Sequence, residues 1–204
     1  MKNLSDQIIE ILKLAIQESN EASLVVSGGS SPVKIFNELS LMHLDWTKVN
    51  ITLVDDRFVD KSHNDSNEKL VIENLMINNA INTNFISLCN SPDKALNIQR
   101  PFDVMLLGMG EDGHFASLFP SLIKTNSNYF EPSSKPEIIY TEAMGSPAHK
   151  RVSMNLSMIL QSKNIFLLIP NKKKLEVYEQ AKSNKELPLY FLLNQTEIKI
   201  NIIS

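Results

Sequence analysis

Short apolar runs, several of them rich in β-branched residues, recur along this chain, and segments with apolar residues at helical spacing lie between most of them. SLVVS (23–27), VNITLV (49–54), FDVMLLG (102–108), IIYTEA (138–143), NIFLLI (164–169) and EIKINII (197–203) are too short for helices of ordinary length and read as strands, the most apolar of them buried on both faces. Leu4, Ile8, Ile11, Leu12 and Ala15 repeat with a helical period. PVKIFNELSL follows with Ser31 as the expected N-cap and Pro32 in the first turn. SNEKLVIENLMI (66–77), capped by Asp65 or Ser66, and KKKLEVYEQAK (172–182) complete the helical set. Strands and helices in alternation predict an α/β fold: an open, mainly parallel, Rossmann-like sheet with helices on both faces. Nothing in 204 residues reads as a linker or a repeat, so one domain over 1–204 is expected. The Asn/Ser/Pro-rich stretch from Lys124 to Lys135 reads as a flexible surface loop.

Composition narrows the partners. A net charge of -3, with lysines scattered apart from Lys172-Lys173-Lys174, supplies no basic footprint for nucleic acid. The N-terminal segment interleaves Asp6, Gln7, Glu10 and Lys13 with its apolar residues, unlike a signal peptide, and no stretch approaches the ~20 apolar residues of a membrane span. Cys89 is the one cysteine, which fits a reducing compartment and makes the cytoplasm the expected location. No HxH, HxxxH or paired cysteines suggest a metal. A small molecule is the expected partner, bound by a monomer or small homo-oligomer.

Five of the six glycines sit just beyond strands in two clusters, SGGSS (27–31) and GMGEDGH (108–114). In open α/β sheets ligands bind beyond the carboxyl ends of the strands, where glycine lets backbone N–H groups converge on an anion. SGGSS lacks the GK[ST] ending of a Walker A loop, while its hydroxyls, N–H groups and following helix suit a phosphate. The second cluster spells GxGxxG, but Glu111, Asp112 and His114 interrupt it and Pro120 follows soon after, against a dinucleotide fingerprint. At a third strand end LVDDRFVD places Asp55 and Arg57, and Arg151 and a lysine of NKKK (171–174) are candidates for the same edge, where guanidinium pairs with phosphate. The composite is a pocket for a small anion with one histidine. Ser117 lacks a GxSxG frame and reads as a cap or a ligand contact, and His43, His63 and His149 read as a helix end and loops.

VSGGSSP, VDDRFV with HNDSN after it, and FDVMLLGMGEDGHFASLFP, taken in order, resemble the glucosamine-6-phosphate isomerase/6-phosphogluconolactonase superfamily, and within it the lactonase branch. PAHKR (147–151) and NKKK (171–174) resemble two further motifs of that family, Asp56 stands where the family has glutamate and Phe115 where it has threonine. The resemblance implies the deaminase/ribose-5-phosphate isomerase-like fold. It also implies hydrolysis of 6-phospho-D-glucono-1,5-lactone to 6-phosphogluconate in the oxidative pentose phosphate pathway, with no metal or organic cofactor. By the same resemblance His114 is the general base and Asp112 or Asp55 orients it or binds sugar hydroxyls. The glycine turns, with Gly110 and Gly113, or Arg57 stabilise the oxyanion. Ser30, the Gly28-Gly29 backbone, Arg57, Arg151 and Lys174 grip the phosphate, with Lys172 or Lys173 as alternatives for the lysine. A sugar-phosphate deaminase would carry FNEP and DEY where this chain has SLFP and DDR. A non-catalytic phosphosugar-binding regulator would need a further module.

Overall fold

The computed structural model describes residues 3–204. Asn3 caps the first helix, α1 (Leu4–Ser19), by accepting the Asp6 N–H at 3.1 Å, and α1 buries Ile8, Ile9, Leu12 and Ala15. This face packs on β1 (Ala22–Val26) and β5 (Val104–Leu107). Every residue of these two strands is buried, as is every residue of β8 (Ile165–Leu168), because helices cover the sheet. With β2 (Val49–Leu53), β4 (Asn84–Ile86) and β9 (Ile200–Ile203) they form one parallel sheet in the order β4-β2-β1-β5-β8-β9. The chain therefore builds outward from β1 in one direction and, from β5, outward in the other. The reversal opens a crevice beyond the carboxyl ends of β1 and β5, the position at which such sheets bind ligands.

The remaining helices are shorter than the hydrophobic pattern predicts. α2 spans Val33–Ser40 and α3 Asn67–Asn74, the latter capped by Ser66, whose hydroxyl accepts the Lys69 N–H. α4 (Pro92–Leu96), α5 (Leu122–Thr125) and α6 (Leu156–Leu160) are single turns or little more, and α7 (Lys172–Ala181) packs against α8 (Leu189–Leu193). Ser31 does not cap α2: the helix begins after Pro32, which is itself in helical conformation, without a side-chain cap.

Two expectations are corrected. IIYTEA does not join the parallel sheet; as part of β6 (Ile138–Met144) it pairs antiparallel with β7 (His149–Met154), which pairs antiparallel with β3 (Asp55–Arg57). Its alternating burial, with Ile139 and Thr141 in and Tyr140 and Glu142 out, is that of a sheet with one wet face. The stretch from Lys124 to Lys135 is not a loose loop either. It carries the end of α5 and a 3₁₀ turn (Ser127–Phe130) that buries Phe130. Asn155 then fastens its end, donating to the Lys135 carbonyl at 2.8 Å and accepting the Glu137 N–H at 3.2 Å.

At the amino-terminal ends of the two central strands Asp103 locks β1 to β5, accepting both the Ser23 N–H (2.8 Å) and its hydroxyl (3.1 Å) and pairing with Lys163 at 2.7 Å. Because removal strands buried donors, Asp103→Ala is expected to lower the unfolding free energy by about 2–3 kcal/mol in urea titration. A loss below about 0.5 kcal/mol would show that water replaces the carboxylate.

Candidate active site

Beyond the carboxyl ends of β1 and β5 lies a cavity of about 240 Å³, lined from both glycine turns and from β3, β7 and α7. Gly28, Gly29 and Ser30 contribute from the first turn, Gly110 and His114 from the second, and Asp55, Arg57, Arg151 and Lys174 from the other elements. The structure thus gathers residues that are more than a hundred positions apart in the chain.

His114 is held on two sides. Its Nδ1 lies 2.5 Å from Asp112 Oδ1, which also accepts the His114 N–H at 3.2 Å. With Nδ1 carrying the proton toward that carboxylate, Nε2 is left as the basic nitrogen. Burial pushes the Asp112 carboxyl up, but the hydrogen bonds and charge of His114 outweigh it and hold the group below the usual carboxylate range. The imidazole also lies against Phe119, ring centroids 4.3 Å apart, and Arg151 sits over the same ring at 5.1 Å. Gly110 makes this packing possible, since a Cβ there would run into both the His114 ring and the Asp112 carboxylate. Gly113 turns the chain with φ +79° and offers its carbonyl to the Leu189 N–H at 2.9 Å, which docks α8 under the turn.

The cations are arranged differently. Arg57 and Arg151 face each other across the β3–β7 pair. Arg57 Nη1 donates to the Asp65 carbonyl at 2.7 Å, and Arg151 Nε to the Met144 carbonyl at 3.1 Å. Arg57 Nε is buried with no partner among the described residues. Neither guanidinium has a carboxylate partner among the described residues. Burial holds both the Arg151 guanidinium and the Lys174 ammonium below their ordinary ranges. Of the three consecutive lysines only Lys174 lines the cavity, its Nζ 3.2 Å from Ser31 Oγ, while Lys172 is exposed and Lys173 pairs with Glu111.

The two adjacent aspartates divide. Asp55 lines the cavity and accepts the Ser117 hydroxyl at 2.6 Å, so Ser117, fully buried, is a tether for Asp55 and neither a helix cap nor a ligand contact. Asp56 points away into the start of α3 and accepts the N–H groups of Arg57, Asn67 and Glu68. Burial pushes its carboxyl up to about 6 against those bonds. Ser27 and Ser31 line the cavity as part of SGGSS, whereas Asn67 and Phe119 belong to the cavity or its walls without being singled out individually from sequence. Asn67 donates to the Asp55 carbonyl at 2.9 Å and fills the space where a Gly28 side chain would stand. Its signal was the SN of HNDSN; Phe119 gives none, because a phenylalanine in an apolar stretch reads as core. Nearby, Cys89 is half-buried with its thiol on the Arg57 carbonyl, and burial pushes that thiol up to about 12.

No group of three or more His, Cys, Asp or Glu among the described residues is placed to hold a metal ion, and no described helix is long and apolar enough to cross a membrane.

Comparison with known proteins gives a consistent result. The chain is 35% identical to the 6-phosphogluconolactonase of Neisseria meningitidis, over 98% of this chain and 92% of that protein. It is 33% identical to the 6-phosphogluconolactonase of Helicobacter pylori over 98% and 91% of the two chains. A crystal structure of a 6-phosphogluconolactonase from Shewanella baltica superposes with a TM-score of 0.85 at 36% identity, covering 98% of this chain and 90% of that one. The profile of the glucosamine-6-phosphate isomerases/6-phosphogluconolactonase family matches residues 1–200, and the chain belongs to that family.

Proposed function

We propose that the protein hydrolyses 6-phospho-D-glucono-1,5-lactone to 6-phospho-D-gluconate, using His114 as the base that activates water. The names of its relatives support the reaction. The observation that carries the assignment to this cavity is the conjunction of an oriented imidazole with three cations that have no salt bridge to a carboxylate among the described residues. A phosphorylated lactone needs both: a base for the carbonyl and a positive site for the phosphate.

In this reading the lactone ring lies over His114. Nε2 takes a proton from water as the oxygen bonds to C1, and negative charge develops on the carbonyl oxygen. The N–H groups of Gly108, Gly110, Gly113 and His114 are bonded within the protein, so that charge falls to donors of the lining outside them. Collapse breaks the bond between C1 and the ring oxygen, and the imidazolium returns its proton to that oxygen, which leaves as the C5 hydroxyl. Asp112 keeps the ring in the productive tautomer throughout and steadies the imidazolium. Gly28, Gly29, Ser30, Arg57, Arg151 and Lys174 receive the phosphate, whose charge offsets what burial costs the cations. The same reading makes a small phosphosugar the partner and the cytoplasm the location.

His114→Asn is expected to lower kcat at least about 100-fold with little change in KM, measured by acid release from freshly generated lactone. Retention of more than a tenth of wild-type turnover would remove His114 from the mechanism. Alanine at Arg151 or Lys174 should cost about 1.5–3 kcal/mol in kcat/KM for the phosphorylated lactone and leave unphosphorylated gluconolactone nearly unaffected. Equal losses on both substrates would move the residue concerned from the phosphate to the oxyanion.

A further inference from the structure

His149 lies outside the cavity lining, yet it touches a residue that controls one of the cavity's cations. Its Nε2 is 2.9 Å from Asp65 Oδ2, and both side chains are partly exposed. That hydrogen bond holds the Asp65 carboxyl below its usual range, with smaller help from the charges of His63 and Arg57. Asp65 is also the residue whose main-chain carbonyl accepts Arg57 Nη1 at 2.7 Å. One residue thus presents a dipole to Arg57 while its full negative charge is engaged elsewhere.

The difference decides what Arg57 can do. A carbonyl orients a guanidinium and leaves its charge available, whereas a carboxylate at the same distance satisfies the charge in bidentate fashion. Asp65 has its carboxylate one side chain away from the guanidinium that its carbonyl already holds. The charge of Arg57 already acts on that carboxylate, and the hydrogen bond of His149 competes for it. His63 reinforces the arrangement from the other side. Its Nδ1 accepts the Asp65 N–H at 3.0 Å, and its ring stands edge-on to His149 at 5.8 Å. His149 itself is fixed by β7, in register with Met144 of β6 and two residues before Arg151.

We propose that His149 is a positioning residue that occupies the Asp65 carboxylate, so that Arg57 is aimed by a backbone carbonyl and keeps its charge for the phosphate of the substrate. The inference rests on the lactonase reading above. It adds a residue that never touches substrate and sets affinity for the phosphorylated form alone.

The test uses the full chain and two lactones. His149→Ala frees the Asp65 carboxylate to pair with Arg57, so KM for the phosphorylated lactone should rise about tenfold with kcat within about twofold, as for a lost charge-assisted contact. KM for unphosphorylated gluconolactone should not move. His149→Gln, whose amide nitrogen sits close to the position of Nε2, should stay within about threefold of wild type. In the double variant His149→Ala, Asp65→Asn the competing charge is gone, and most of the lost affinity should return. A structural role alone would not produce that recovery. An unchanged KM in His149→Ala, equal effects on both lactones, or a double variant no better than the single one would overturn the proposal while leaving the lactonase reading intact. A wild-type protein without preference for the phosphorylated lactone would instead remove the phosphate site itself, and the proposal with it.

Discussion

Val54 joins the two sheets. Its N–H donates to the Val26 carbonyl at the end of β1, and its carbonyl accepts the Met154 N–H from β7, both at 2.9 Å. Through this one peptide the parallel sheet ends and the small antiparallel sheet begins. The next residues, Asp55 to Arg57, leave the plane of the large sheet and run along the crevice between β1 and β5. The antiparallel sheet is therefore a wall of the cavity, and its register sets Arg57 directly opposite Arg151. Had the chain continued straight at Val54, the two arginines would have no reason to meet.

That meeting is electrostatically unfavourable in an empty cavity. Two guanidiniums face each other across a strand pair, with a desolvated ammonium on the same cavity, and carbonyls rather than carboxylates hold both guanidiniums in place. Backbone dipoles orient without neutralising, and at Arg151 the charge of Asp55 opposes that of Arg57 and outweighs it. Asp55 supplies the one carboxylate among the cavity-lining side chains, and its Oδ2 is bound to Ser117. The other acids of the region are drawn off in the same manner: Asp56 into the start of α3, Asp112 to His114, Asp65 to His149, and Glu111 to Lys173. Each pairing is local and unremarkable. Together they fix where each carboxylate points, while the charges of Asp55, Asp56 and Asp112 still reach Arg151.

The centre of the parallel sheet was legible in sequence because β1, β5 and β8 are buried on both faces and read as apolar runs, whereas the three partly exposed residues of edge strand β4 give no such run. The second sheet was not. DDR is three polar residues, and HKRVSM mixes a histidine, two cations and a serine, so neither run has the alternation that marks a strand. DDR owes its strand character to pairing across more than ninety residues, and HKRVSM to that pairing together with its hairpin to β6. Arg151 illustrates the result: it is 5% exposed, a burial that its neighbours in sequence do not foreshadow. The glycine turns were legible because glycine placed after a strand has few other uses. The lysine became distinguishable only when the first turn of α7 placed Lys174 toward Ser31 and left Lys172 and Lys173 outside.

The buried position of Cys89 has a practical corollary. A thiol that burial pushes up to about 12 stays protonated at neutral pH. Thiol-directed reagents need the thiolate, so the native protein is close to inert toward them at ordinary pH. A cysteine introduced at an exposed loop position would be the single reactive thiol on the molecule. The wild-type background already suits attachment of one fluorophore or spin label at the cavity rim, with no native residue to be removed first.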